Sequence, residues 1–141
     1  MEGDRLIALG HEELNALKEF AGALKAERDA IISFSLEGIV RENNRKEEIL
    51  KRLEYIEAEK ERILSSHADR YPLEENEAWK SLGEGIERKV REVRTALDKN
   101  MRLLSFSMDH VKSSLEKIIE FINRTSYEKG RSLSIMVSRR V

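Results

Sequence analysis

Three histidines, His11, His67 and His110, are the side chains of this 141-residue chain best suited to acid–base or metal chemistry near neutral pH, and they lie far apart in sequence. His11-Glu12-Glu13 lacks the second histidine one turn on that a zinc helix needs. A ferritin-like carboxylate site needs Glu-x-x-His on facing helices, and that word occurs nowhere. Gly83-Glu84-Gly85 has neither a preceding strand nor the Lys-Ser/Thr of a phosphate loop, so it reads as a weak helix start. The carboxylate pairs Glu12-Glu13 and Glu47-Glu48 sit in charge runs that decorate solvated helix faces. With no cysteine there is no disulfide and no thiolate zinc site, which fits a reducing compartment. We expect neither an enzyme nor a cofactor or metal.

Binding chemistry is the remaining possibility. Arg88, Lys89, Arg91 and Arg94 form the densest basic cluster, but Glu87 and Glu92 interrupt it and no aromatic lies within it. A solvated face is therefore expected there rather than a nucleic-acid site. Lys and Arg number 26 against 27 Asp and Glu, for a net charge of −1, too balanced for a general nucleic-acid binder. No apolar run approaches membrane-spanning length, and the acidic opening Met1-Glu2-Gly3-Asp4 does not resemble a Sec-type signal. Asp109, Glu116 and Glu120 outnumber Lys112 and Lys117 in the apolar segment 108–122, which argues against an anionic lipid surface. A cytoplasmic protein without membrane insertion is expected.

The elements that carry these residues are helices. One proline, seven glycines and 6% aromatics leave too few turn signals for a sandwich or barrel. Punctuation falls at Ser33-Phe34-Ser35, at 67–76 around Pro72, and at Asn123-Arg124-Thr125-Ser126. Ser35 is a candidate N-cap, and Pro72 pushes Tyr71 out of helical geometry. Helices are expected over about 5–32, 36–66 and 77–122, in an all-α, elongated antiparallel three-helix bundle or coiled coil, with a basic C-terminal tail over 123–141.

The first helix carries Leu14, Leu17, Ala21, Leu24 and Ile31 at heptad spacing, with Arg28 breaking the seam. The second carries Ile39, Ile49, Leu53, Ile56 and Ile63, with Asn43, Lys46 and Lys60 as polar residues on the seam that fix alignment. The third steps by threes and fours from Trp79 through Leu82, Ile86, Val90, Val93, Leu97, Met101 and Leu104 to Ile122. Its eleven-residue period gives way to heptads at Met101, where the packing partner should change. Trp79 is expected against the end of the second helix, near Ile63 and Leu64.

Counted from the shared loop, the third helix outruns the second by 16 residues (77–123 against 36–66), about 24 Å at 1.5 Å per residue. The overhang should begin near Met108 and expose Met108, Val111, Leu115, Ile118, Ile119 and Ile122, with Phe121 beside them. An unpaired apolar stripe of this kind marks a binding surface. In the tail, Leu133, Ile135 and Val137 alternate with polar residues and Met136, the pattern of a frayed end or of a segment that orders on a partner.

Taken in order, several words resemble the FlgN-type flagellar chaperones that serve bacterial type III export. They are Glu12-Glu13-Leu14 through Leu24-Lys25-Ala26-Glu27-Arg28-Asp29-Ala30, then Ser35-Leu36-Glu37 and Lys46-Glu47-Glu48-Ile49-Leu50. Glu61-Arg62-Ile63-Leu64, Leu97-Asp98-Lys99-Asn100-Met101-Arg102-Leu103-Leu104 and Tyr127-Glu128-Lys129-Gly130 complete the set. The resemblance implies a cytosolic chaperone that binds the C-terminal helices of hook-associated junction proteins, prevents premature assembly and delivers them to the export gate. By the same resemblance the clients dock on the C-terminal helix, and Tyr127 with Gly130 would touch the export-gate platform protein. The alternatives are a generic coiled-coil scaffold that self-associates through the stripe, and a chaperone for another flagellar client.

Overall fold

The computed structural model of the chain describes residues 2–67 and 75–129. Helix α1 spans Glu2–Ile32, α2 Leu36–His67 and α3 Glu77–Lys129, and no strand occurs among the described residues. The fold is the all-α three-helix bundle expected. The proline loop and the alternating tail lie outside the described residues. The chain divides into two units, Met1–Leu103 and Leu104–Val141.

Local chemistry sets the helix ends. At the end of α1, Ser35 N donates to Ala30 O at 2.8 Å and Phe34 N to Ile31 O at 3.1 Å. These two bonds make a Schellman cap, and Phe34 takes its left-handed position at φ 56°, a place glycine usually fills. Ser35 Oγ then accepts from Gly38 N at 3.1 Å, which makes Ser35 the N-cap of α2 as expected. Asn76 Oδ1 accepts from Trp79 N at 3.1 Å and caps α3. Helix α2 starts at Leu36, directly after its expected cap.

In the first unit, α1 is the middle helix. Eight of its buried residues come in adjacent pairs one heptad apart: Leu9 and Gly10, Ala16 and Leu17, Ala23 and Leu24, Ala30 and Ile31. A face two residues wide at every second turn can serve two neighbours at once. Ala16 and Ala23 pack with Ile49 of α2, and Leu6 and Leu9 with Ile56 and Ile63. On the other side, a Cβ placed on Gly10 would stand 3.1 Å from Leu82 Cδ1 of α3, and one on Gly85 would stand 3.8 Å from Leu14. Gly10 therefore lets α3 lie close against α1.

The partners give the directions of the helices. Glu13, Glu19 and Glu27 pair with Lys60, Arg52 and Lys46, so α1 and α2 are antiparallel. Gly10, Leu14 and Leu24 meet Leu82, Gly85 and Asn100, so α1 and α3 are parallel. Trp79 is half-buried and joins Leu64 against the Leu6–Leu9–Ile56–Ile63 cluster, the neighbourhood expected for it. Lys60 Nζ lies 5.8 Å from the centroid of its ring. On the outer side of α2, Arg62 donates to Glu59, and that bond holds the Glu59 carboxyl below its ordinary value, with the charges of Arg62 and Arg5 adding to it.

Polar residues do sit on the seams, and their identities are partly corrected. Lys46 reaches Glu27 and Lys60 reaches Glu13, each at 2.6 Å. Asn43 is exposed, and its neighbour Glu42 is the buried one, held by Arg41 and Arg45 at 3.4 and 3.2 Å. Glu42 continues the heptad of Ile49, Ile56 and Ile63, whereas Asn43 is turned 100° away from it. On α1 the expected positions Leu14 and Ala21 are only half-buried, and Arg28 is exposed beside the seam instead of breaking it. The buried polar residue there is Glu27, which also accepts from Asn100 Nδ2 at 3.0 Å. Asn100 Nδ2 donates in addition to Leu24 O at 2.8 Å, so Lys46, Glu27 and Asn100 form one polar layer across all three helices.

Candidate functional site

Helix α3 is held against α1 as far as Asn100, and from Met101 onward its large apolar residues, the half-buried Leu103 apart, face solvent. The expected seam is buried or half-buried from Trp79 to Leu97, but Met101 and Leu104 are exposed. Exposed apolar surface thus begins at Met101 and not at Met108. The buried heptad runs through Val93 and Asn100, and Met101 is turned 100° out of it.

The second unit, taken by itself, is the part of α3 from Leu104. Neither glycine nor proline occurs from Leu104 to Lys129, and the helix runs through 123–126, where a break was expected, to Lys129. Thr125 Oγ1 donates to Phe121 O at 2.8 Å, so its hydroxyl bonds within the helix instead of stopping it. Met108, Val111, Leu115, Ile118, Ile119 and Ile122 are 42–64% exposed. Their steps of three and four keep them within about 100° of one another on the helix surface.

Phe121 is also exposed and extends one margin of this stripe. Phe106, which sequence reasoning passed over, is exposed on the opposite side and stacks on His110, with ring centroids 6.4 Å apart and planes inclined by 10°. Its i, i+4 spacing to His110 is the signal that could have found it. Tyr127 lies on α3, its side chain is outside the described residues, and so is Gly130.

Completing the burial of six half-exposed aliphatic side chains stabilises a complex by about 1 kcal/mol each, roughly half the value of full burial. Such a surface is suited to completing a bundle with a partner helix. The charges around it, Asp109, Lys112, Glu116, Lys117 and Glu120, are of mixed sign and exposed. Among the described residues no cluster of His, Asp or Glu is placed to hold a metal, and no helix is long and apolar enough to cross a membrane.

Comparison with curated proteins returns no match, and comparison with solved structures returns none either. Comparison with protein families matches the FlgN protein family over residues 1–134, which includes all three helices and the stripe. A three-helix chain matched over nearly its whole length belongs to the FlgN family, the chaperones of flagellar type III export.

Proposed function

We infer that the stripe Met108, Val111, Leu115, Ile118, Ile119 and Ile122 is the client-binding surface of this chaperone. Its clients are the C-terminal helices of hook-associated junction proteins, held from premature assembly and handed to the export gate. The observation that carries this reading is the sustained exposure of six aliphatic residues at helical spacing. A client helix with a matching apolar face would bury them, and Met108, with its flexible thioether, would adapt to imperfect surfaces. By family resemblance Tyr127 and Gly130 contact the platform protein of the gate.

The test is the double substitution Leu115→Asp/Ile118→Asp, assayed by co-purification with hook-associated junction proteins. Capture should be lost while far-ultraviolet circular dichroism stays close to wild type, because both residues lie outside the buried set. Retained capture would place the client elsewhere. The same stripe also suits pairing with a second copy of the chain, the scaffold reading. A dimer in sedimentation that becomes monomeric in the double variant, with no junction protein bound by the wild type, would favour that reading.

A further inference from the structure

The first unit contains a second surface that the stripe does not explain. Between α1 and α3 runs a groove of about 500 Å³, and five cations line it: Lys25 and Arg28 from α1, Arg88, Arg91 and Lys99 from α3. All five are exposed, and none makes an ion pair with a described residue. The one acid in the lining, Glu92, is engaged by Lys89 at 2.9 Å. Acids are as plentiful as bases in this chain, and on the α1–α2 side Lys46, Arg52 and Lys60 each meet a glutamate. Five cations against one acid that Lys89 already engages leave the groove a positive field that an anionic ligand would relieve.

The shape of the groove narrows the ligand. Ala21, Leu24 and Ala96 give it an apolar floor of mostly small side chains. No lining residue is aromatic, so nothing in it can stack a nucleic-acid base. A concave slot between two helices does not fit a flat bilayer surface. An acidic peptide segment fits both features, with small apolar side chains on the floor and carboxylates against the rims. We propose that the α1–α3 groove is a docking site for an acidic, amphipathic segment of a partner protein, separate from the stripe on the second unit.

The probe is a fluorescein-labelled synthetic helical peptide with an Ala/Leu stripe flanked by glutamates, and a matched peptide has glutamine at those positions. Binding to the full chain is followed by fluorescence anisotropy in about 0.1 M salt. The glutamate peptide should bind, weaken as salt rises, and exceed the glutamine peptide. Arg28→Gln/Arg91→Gln should weaken it about tenfold, the scale expected when two rim charge pairs are lost. Lys18→Gln/Lys51→Gln, which removes the same charge from exposed positions outside both the groove and the stripe, should leave it unchanged. With the wild-type chain, amide shifts on titration should centre on Ala21 and Thr95, a readout independent of any variant. The proposal is overturned by equal binding of the two peptides, by equal loss in both double variants, or by shifts centred outside the groove. Tighter binding of a single-stranded oligonucleotide or of phosphatidylglycerol vesicles at the same residues would overturn it as well, as would dimerisation of the chain through the groove.

Discussion

Replacing Lys46 by Met tests whether the Lys46–Glu27–Asn100 layer holds the three helices in register. The pair is 2.6 Å long, and the two side chains are 16% and 9% exposed. Without Lys46 the Glu27 carboxylate would remain buried with a single side-chain donor, Asn100 Nδ2 at 3.0 Å. Removing one partner of a buried pair costs about 3–5 kcal/mol, and the partial exposure of Lys46 places this case near 3 kcal/mol. Glu27→Met costs less, about 1–2 kcal/mol, because Lys46 can reach solvent and Asn100 keeps its bond to Leu24 O. The double variant puts two apolar side chains where the charges were and should return to within about 1 kcal/mol of wild type. The coupling in a double-mutant cycle is then on the order of 3 kcal/mol.

Urea unfolding followed by circular dichroism reads these values. Lys46→Met should shift the midpoint by about 1–2 M, with an unchanged slope. If the two single substitutions simply add, the layer is not a coupled unit, and the polar residues owe their seam positions to something other than this pair.

Two further substitutions bear on the α1–α2 turn. Gly38→Ala should destabilise by about 1–3 kcal/mol despite the better helix propensity of alanine. Its added Cβ would stand 2.9 Å from Ala30 Cβ and 3.0 Å from the Ser35 Oγ that caps the helix, and a melting temperature at or above wild type would show that the turn yields. Phe34→Gly should stabilise by about 1 kcal/mol, because an exposed side chain is removed from a left-handed backbone position at φ 56°. A lower melting temperature would mean that the ring contributes more than its exposure implies.

Much of the fold was legible in the chain itself because it depends on local chemistry. The Ser35 side chain caps the helix that follows it, as its residue type predicts, so the start of α2 follows from local chemistry. The α3 seam was traceable as far as Leu97 because large aliphatic residues mark it directly. On α1 the expected Leu17, Leu24 and Ile31 are buried, but the other half of the seam runs through Ala16, Ala23 and Ala30, which give little hydropathy signal, and not through Leu14 and Ala21. On α2 the expected seam residue Asn43 is exposed, because the heptad of Ile49, Ile56 and Ile63 runs back to Glu42.

The apolar stripe on α3 was determined by the sequence alone, since its spacing is a property of one helix and its exposed residues are the ones expected. Tertiary structure decided where exposure begins. Met101 carries the seam pattern but is exposed, because it is turned 100° from Asn100, which continues the buried heptad from Val93. Tertiary structure also decided which lysine meets which glutamate, and it brought Lys25 and Arg28 to the same groove as Arg88, Arg91 and Lys99. These charges lie more than 50 residues apart along the chain, and only the packing of two helices makes them neighbours.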